Sequence, residues 1–207
     1  MTSLEDKHVR DVYMKIASHF SHTRREDRWT WIESFLDQYP EPNKVCDIGC
    51  GSGRNMRSNC FGVDNCPNFI KICQDKNLPV KLSEMINLEL EDESFDAVIC
   101  IAAFHHLDNE EKRLQALKEM KRILKPDGRI LLSVWSINQP EKTKKQFAYG
   151  DNLVPWNNHG KIYERYYYIF RIDEIKNLFQ KVGLTLIDND NGHIWEYGNE
   201  IFILKIS

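Results

Sequence analysis

The chain has little of what several protein classes require. No apolar run among its 207 residues approaches the roughly 20 residues needed to span a bilayer. The first ten residues, MTSLEDKHVR, are polar and of mixed charge, unlike a secretory signal. The formal net charge is −3, so no overall basic excess points to nucleic acid. These absences predict a soluble globular protein located in the cytoplasm, with the nucleus as the alternative.

Metal-binding patterns are also missing from the sequence. The cysteines form no CxxC pair and no histidine cluster accompanies them at zinc spacing. Several of them fall on predicted core strands, where a free thiol behaves as a small hydrophobic group. We therefore expect no metal site and six reduced, structural cysteines: Cys46, Cys50, Cys60, Cys66, Cys73 and Cys100.

The most informative segment is KVCDIGCGSG at 44–53, where a short predicted strand enters a turn with three glycines at alternate positions. The GxGxG spacing differs from the GxGxxG of a dinucleotide-binding turn, and Asp47 before the turn would repel a diphosphate and attract an ammonium group. Asp64 ends the next apolar run, where a carboxylate can accept both ribose hydroxyls. A ligand with an ammonium end and a ribose end is S-adenosylmethionine. The alternative is an ordinary turn between a strand and a helix.

Hydrophobic periodicity predicts one α/β domain with a doubly wound sheet. Only sixteen residues separate Asp47 from Asp64, so the first crossover has room for little more than one or two helical turns. We divide the chain into an N-terminal helical cap (1–43), a donor-binding core (44–135), an irregular acceptor-side segment (136–169) and a C-terminal helix with strands (170–207). The predicted strands are 44–48, 61–64, 79–82, 95–102, 129–135, 184–188 and 200–206, and the predicted helices are 5–20, 28–38, 67–76, 109–124 and 171–181.

Three segments, KVCDIGCGSG, FDAVICIAAFHHL and ALKEMKRILKPDGRILLSVW, resemble the class I S-adenosylmethionine-dependent methyltransferases. This resemblance spans residues 44–135. It implies a Rossmann-like fold with a mostly parallel seven-stranded sheet, helices on both faces and a C-terminal antiparallel hairpin.

A narrower resemblance lies outside this core. The strings HVRDVYMKIASHFSHTR, IAAFHH, LVPW and ERYYYIFR resemble the eukaryotic tRNA wobble-uridine carboxymethyl methyltransferases. The resemblance implies esterification of 5-carboxymethyluridine to 5-methoxycarbonylmethyluridine in the tRNA anticodon loop. It also implies a heterodimer with a small zinc-binding activator subunit, paired through a sheet edge that we expect near residues 80–90.

The resemblance, together with position along the chain, implies roles around the donor. Asp47 and Gly49 are expected at its methionine end, and Gly51 at the backbone facing it. Tyr13 would either cover the donor or belong only to the apolar stripe of its helix. The remaining predicted donor contacts are Asp64 and Asn65 at the ribose, Glu84 and Met85 at the adenine, and Ala102 beneath the sulfonium.

The acceptor carboxylate is already an anion at neutral pH, so its methylation requires no general base. Arginine suits an anion because its guanidinium is rigid and always charged. Arg24 and Arg165 are the candidates, against the alternative of ordinary surface arginines. One of His105 and His106 would hydrogen-bond the acceptor while the other packs in the core. Trp156, Tyr166 and Tyr167 would either stack on an anticodon base or pack in the core.

Three functions follow from these observations. The first is the tRNA-modifying enzyme that the resemblance implies. The second is a small-molecule methyltransferase, which the acidic net charge and compact size favour. The third is a non-catalytic module that retains the donor pocket, although the intact acidic and glycine positions speak against it.

Overall fold

The computed structural model describes residues 3–23, 28–143, 146–187 and 192–207. Its strands are β1 (Val45–Ile48), β2 (Cys60–Asp64), β3 (Val80–Leu82), β4 (Phe95–Ile101), β5 (Leu124–Trp135), β6 (Gly150–Asn158), β7 (Lys161–Ile169), β8 (Leu184–Leu186), β9 (His193–Glu196) and β10 (Asn199–Ile206). Its α-helices are α1 (Asp11–Thr23), α2 (Thr30–Leu36), α3 (Pro67–Asp75), α4 (Glu110–Ile123) and α5 (Ile172–Lys181). A π-helical turn, Asp6–Arg10, precedes α1, and 3-10 turns occur at Phe104–His106 and Glu141–Thr143.

The main sheet has seven strands in the order β3-β2-β1-β4-β5-β10-β8, and β9 pairs with β10 beside them. The pairs among β1 to β5 are parallel, whereas β10 is antiparallel to β5, β8 and β9. The predicted fold class is therefore confirmed. The strand order reverses beside β1, which is where ligands bind in open parallel sheets.

Alternate residues of the central strands enter different cores. Val98 and Cys100 of β4 belong to the core that also contains the buried apolar residues of α4 and α5. Ala97 and Ile99 belong to the core that contains the buried residues of α2. Since both faces of a parallel sheet are covered, its strands are apolar on both sides.

The crossover between β1 and β2 differs from the prediction. Residues 49–59, all of them described, form turns and contain no helix. The short connection leaves the glycine turn itself to bridge the two strands.

Residues 136–169 were predicted to be irregular, and this was wrong for their second half. β6 and β7 form a two-stranded antiparallel sheet with continuous pairing from Gly150↔Ile169 to Asn158↔Lys161. His159 and Gly160 form the connecting turn, with φ of 50° and 88°. Two successive positive φ values belong to the tight hairpin turn that matches strand twist. The string NHGK was the local signal for it.

The other boundaries shift by a few residues. β5 begins at Leu124, five residues before the predicted start, because Leu124 pairs with Phe95. Among the described residues, none of the helices has the length and apolarity needed to cross a membrane. All six cysteines are buried and free, in agreement with the expected structural role.

Candidate functional site

A cavity of about 400 Å³ opens at the carboxyl ends of the parallel strands. Residues from the glycine turn, from the end of β2 and from the segment after β4 line its floor. The π-helical turn and α1 contribute Val9, Tyr13 and Phe20 to its wall. The cavity thus lies where the strand order reverses, the place that the sequence predicted for the donor.

The glycine turn is built for close backbone approach. Gly49, Gly51 and Gly53 have φ of 73°, 53° and 79°, a region that favours glycine. A Cβ added to Gly49 would lie 2.4 Å from the Cβ of Ala103. A side chain there would therefore push apart the turn and the segment after β4.

Asp64 is fixed by this turn. Its carboxylate accepts hydrogen bonds of 2.8 Å from the backbone N–H groups of Gly51 and Cys66. Burial raises the pKa of Asp64 to about 6, although these two hydrogen bonds act in the opposite direction. The group is therefore mostly ionised at pH 7 and lies on the cavity wall, as its predicted contact with a ribose requires.

Asp47 carries the most unusual carboxylate of the site. Its side chain is 1% exposed, and neither oxygen has a hydrogen-bond partner among the described residues. Burial, with a smaller contribution from the charge of Asp64, raises the pKa of Asp47 to about 7. Asp47 does not itself line the cavity, but Ile48 and Gly49 directly after it do. An unpaired buried acid is costly unless a ligand cation compensates it.

The predicted adenine end contains an ion pair that sequence reasoning missed. Glu84 lines the cavity after β3, and the Arg10 guanidinium donates to both of its oxygens, one of them at 3.0 Å. Asn65 donates to the same carboxylate at 3.2 Å. The local sequence around Arg10 offered no signal because its partner is 74 residues away. Arg10 therefore ties the N-terminal helical cap to the donor-binding core.

Tyr13 and His106 form the opposite wall. His106 Nδ1 lies 2.6 Å from the carbonyl oxygen of Tyr166, so Nδ1 carries the proton and donates it. The neutral ring then accepts at Nε2 from the Tyr13 hydroxyl, 3.1 Å away. Burial, assisted by the charge of Arg165, lowers the pKa of His106 to about 4, although the hydrogen bond to the Tyr166 carbonyl acts in the opposite direction. His106 is therefore neutral, and Tyr13 both lines the cavity and belongs to the apolar cluster with Phe20 and Phe69.

His105 lies behind this wall and is fully buried. Its Nδ1 accepts from the backbone N–H of Trp135 at 3.0 Å, so the proton is on Nε2. Burial, assisted by His106 and Arg165, lowers the pKa of His105 well below its usual value. Of the two histidines, His106 is the one that faces the cavity. The hydrogen bond from either ring to an acceptor stays a prediction.

Arg165 is 2% exposed and lies one side chain behind the cavity wall. Its guanidinium carbon is 4.8 Å from the centre of the Trp156 ring and 5.2 Å from that of Tyr167. Its Nε and Nη1 have no hydrogen-bond partner in the described part of the chain. Arg165 is therefore a buried cation with spare donors, not a surface arginine. Arg24, the other predicted anion-binding residue, lies outside the described residues.

The three aromatic residues predicted as stacking candidates belong largely to the core. Tyr166 is buried and its hydroxyl donates to Asp151 at 2.7 Å. Tyr167 is buried as well, with its ring stacked 4.1 Å from that of Trp135, although one edge reaches the cavity. Trp156 packs on Phe20 and donates from Nε1 to His19. All three rings therefore take part in packing, and stacking on an anticodon base stays a prediction.

Most of the predicted donor-binding residues line the cavity wall. Sequence reasoning did not identify Trp29 and Tyr197, which also line it and come from elements far apart in the chain. The predicted residues on the wall are Tyr13, Gly49, Gly51, Asp64, Asn65, Glu84, Met85, Ala102 and His106, while Asp47, His105 and Arg165 lie behind it.

These residues fit S-adenosylmethionine. The buried, unpartnered carboxylate of Asp47 provides a counter-charge for an ammonium group, and Asp64 offers carboxylate oxygens for a pair of hydroxyls. Gly49 lines the cavity, and its lack of a Cβ allows it to pack closely against Ala103. Ala102, directly after β4, has a left-handed backbone with φ of 53°, which bends the chain away below the cavity.

Comparison with known proteins agrees with this geometry. A family model described as a methyltransferase domain matches residues 46–132. A solved complex between the Trm112 methyltransferase activator and a methyltransferase from Haloferax volcanii superposes with a TM-score of 0.65 at 20% identity, over 96% of this chain and 99% of that one. The fold and site define a class I S-adenosylmethionine-dependent methyltransferase.

Two curated relatives narrow this class. "tRNA (carboxymethyluridine(34)-5-O)-methyltransferase" of Schizosaccharomyces pombe is 31% identical over 220 residues, which cover 92% of this chain and 95% of the relative. "Probable tRNA methyltransferase 9B" of Bos taurus is 34% identical over 158 residues, 74% of this chain. The match spans only 34% of that bovine relative's length. The chain belongs to the tRNA (carboxymethyluridine(34)-5-O)-methyltransferase family.

Proposed function

We propose that this protein transfers a methyl group from S-adenosylmethionine to the carboxylate of 5-carboxymethyluridine at the wobble position of tRNA. The product would be the ester, 5-methoxycarbonylmethyluridine. The observation that carries this proposal is the similarity to the Schizosaccharomyces pombe enzyme over 95% of that enzyme's length. The donor cavity with its intact acidic and glycine residues supports catalysis over a purely binding role.

The ionisation of the site supports esterification. The acceptor carboxylate is an anion at neutral pH and needs no base to become a nucleophile. Burial lowers the pKa of both His105 and His106, so both rings are neutral and the positive charge proposed to face the acceptor carboxylate comes from arginine. S-adenosylmethionine supplies an electrophilic methyl group on its sulfonium. The protein then has to align the two reactants, an effect that alone can account for much of an enzyme's rate.

The donor would be held from both ends. Asp47 would compensate the ammonium group, with the glycine turn in contact with the amino-acid part. Asp64 would accept hydrogen bonds from the ribose hydroxyls. Glu84, Asn65 and Met85 would meet the adenine, with Arg10 fixing the position of Glu84.

The acceptor carboxylate would be steadied by arginine. Arg165 supplies a buried positive charge beside Tyr13 and Tyr167, and its unused N–H groups support a role toward an anion. Arg24 is proposed for the same purpose from the sequence alone. In the neutral state of His106, its hydrogen bond to Tyr13 keeps that phenol in place at the wall.

The activator subunit is proposed as a partner in a cytoplasmic heterodimer. The Haloferax volcanii methyltransferase of similar fold is complexed with its Trm112 activator. In this chain, β3 pairs only with β2 within the described residues and so forms a sheet edge. An edge strand offers unpaired backbone groups to a partner strand.

The decisive experiment is mass spectrometry of tRNA nucleosides. tRNA carrying 5-carboxymethyluridine is incubated with the chain, its co-expressed activator and the methyl donor. We expect the methyl ester to appear as the carboxymethyl nucleoside disappears. Donor binding without transfer to this tRNA, combined with transfer to a pool of small metabolites, would contradict the proposal.

A further inference from the structure

Beyond the donor, the cavity has a second end whose lining was not predicted. Asp64 ends β2, whereas Trp135 ends β5 and Asn199 begins β10. Four strand spacings separate β2 from β10 in the sheet order, a distance of about 19 Å at the usual separation of about 4.8 Å. The two ends of the cavity are therefore lined by different elements of the fold.

The described residues at this second end are aromatic or neutral. The described lining residues that come from β5, the segment after it and the β9–β10 turn carry no charge: Trp135, Gln139, Thr143, Tyr197, Gly198 and Asn199. A charged metabolite would find no counter-ion on this lining. A flat, neutral heterocycle would find aromatic surface.

Tyr197 is the most exposed ring of this lining. It is 64% exposed, yet it lies in the tight turn between β9 and β10. Its backbone φ is 46° and that of Gly198 is 78°, and the flanking residues Glu196 and Asn199 are paired. This is the same kind of tight hairpin turn as the one at His159 and Gly160, and it places the Tyr197 ring at the tip of the hairpin.

Neighbouring groups hold this turn in place. The Gly198 carbonyl accepts from the backbone N–H of Ser136 and from the side-chain amide of Gln139, each at 2.8 Å. The Tyr197 ring has Trp29 beside it, with centroids 5.6 Å apart and planes inclined by 44°. One side of the ring is thus supported while much of it remains open, which makes it a rigid surface at the cavity mouth.

We infer that Tyr197, supported by Trp29, is the stacking surface for the acceptor nucleobase. This inference rests on the proposed function, because the occupant is the unstacked uracil ring whose carboxylate receives the methyl group. Aromatic side chains are the usual partners of bases displaced from an RNA loop. Stacking on Tyr197 would hold the base at the uncharged end while its substituent reaches toward the donor.

The test compares Tyr197→Ala and Tyr197→Phe with the wild-type chain, all with the activator. Steady-state methyl transfer is measured on tRNA carrying 5-carboxymethyluridine and on the free nucleoside. We expect Tyr197→Ala to lower kcat/KM by about 5- to 150-fold, mainly through KM, the loss typical of one base stack. Tyr197→Phe keeps the ring and should stay within about threefold of wild type.

Two controls separate stacking from damage to the protein. Donor affinity, measured calorimetrically, should be unchanged in Tyr197→Ala, which shows that the cavity is intact. Tyr149→Ala removes another exposed tyrosine, one that does not line the cavity, and should leave transfer unchanged.

The outcomes distinguish this inference from the proposed function. If the wild type transfers the methyl group normally and Tyr197→Ala is equally efficient, only the stacking role of Tyr197 is overturned. A loss confined to tRNA, with the nucleoside unaffected, would also overturn the assignment to the base itself. Failure of the wild type to methylate either acceptor would overturn the proposed function and this inference with it.

Discussion

At the scale of single residues, Asp47 shows a conflict between stability and binding. A carboxylate without hydrogen-bond partners in the folded protein is disfavoured as an anion, and its pKa rises to about 7. The unfolded chain releases this proton near its ordinary value of 3.8. As pH rises from about 4 to 7, the folded state is therefore penalised, and the penalty stays constant above that range.

Asp47→Asn should reverse this penalty and weaken donor binding. We expect the ligand-free variant to be more stable than wild type at pH 8, with a difference that shrinks as pH falls toward 4. Donor affinity of wild type should strengthen as pH rises through about 7, because the carboxylate ionises. The variant should bind about 10- to 100-fold more weakly at pH 8 and lose this pH dependence.

Calorimetry at pH 6, 7 and 8 and urea denaturation measure both effects. Asp75→Asn, on the exposed side of α3, is the matched control for loss of a carboxylate. This variant should change neither the stability nor the donor affinity. Unchanged donor affinity in Asp47→Asn would show that Asp47 is only structural.

Arg165 gives the second prediction at this scale. Arg165→Gln should lower kcat/KM for tRNA about 10- to 100-fold if this buried cation holds the acceptor carboxylate as proposed, and Arg165→Lys should restore part of the activity. Donor affinity should stay within about threefold. Since the charge of Arg165 lowers the pKa of His106, NMR titration should find that pKa raised in Arg165→Gln.

Arg129→Gln on β5 provides a control for removal of an exposed arginine. If donor binding falls as far as transfer in Arg165→Gln, the residue supports the fold and has no particular role toward the acceptor.

At the scale of elements, local sequence patterns correctly predicted those features of the fold that depend on interactions between neighbouring residues. The β1 strand, its glycine turn and Asp64 could be predicted because the glycine φ values and the strand-end carboxylate are encoded within twenty residues. The hairpin of β6 and β7 could not, because its aromatic residues interrupt simple alternation. Three consecutive tyrosines of β7 include two that are buried and one that is half-buried, a burial pattern that tertiary packing produces.

Two substitutions in the turn between β6 and β7 should change the stability of the protein in different directions. Gly160→Ala should destabilise the protein by about 1 kcal/mol, since φ of 88° is strained for any L side chain while no atom within 4 Å would clash. His159→Asn should be neutral or stabilising by a few tenths of a kcal/mol, because asparagine tolerates positive φ and favours this turn.

Urea denaturation compares the two variants, and hydrogen exchange of β6 and β7 localises the effect. Equal stability of Gly160→Ala and wild type would mean that the turn is not formed as described.

At the scale of the whole molecule, the site is assembled from elements that the sequence keeps far apart. Asp64 was predicted because it ends a strand, and Glu84 because the family resemblance implies an acidic residue after the third strand. All strand ends of a parallel sheet meet at one edge. Arg10, Trp29 and Tyr197 had no such local marker. Their place depends on how the N-terminal helices and the β9–β10 turn pack over the sheet, information that is spread over the entire chain.

The sheet edge at β3 gives the last prediction. Leu82 is 49% exposed on a strand that pairs on one side only, within the part of the chain that the structure describes. If the activator adds a strand here, Leu82→Glu should bury a charge in the interface and abolish the complex while Tm changes by no more than about 2 °C. Leu153→Glu on β6 introduces the same charge at a residue of similar exposure, 45%, and should leave the complex intact. Size-exclusion chromatography with light scattering on co-expressed chains measures both. A Leu82→Glu variant that still co-elutes with its activator would exclude this edge, and a fully active, well-behaved monomer would exclude the need for the partner.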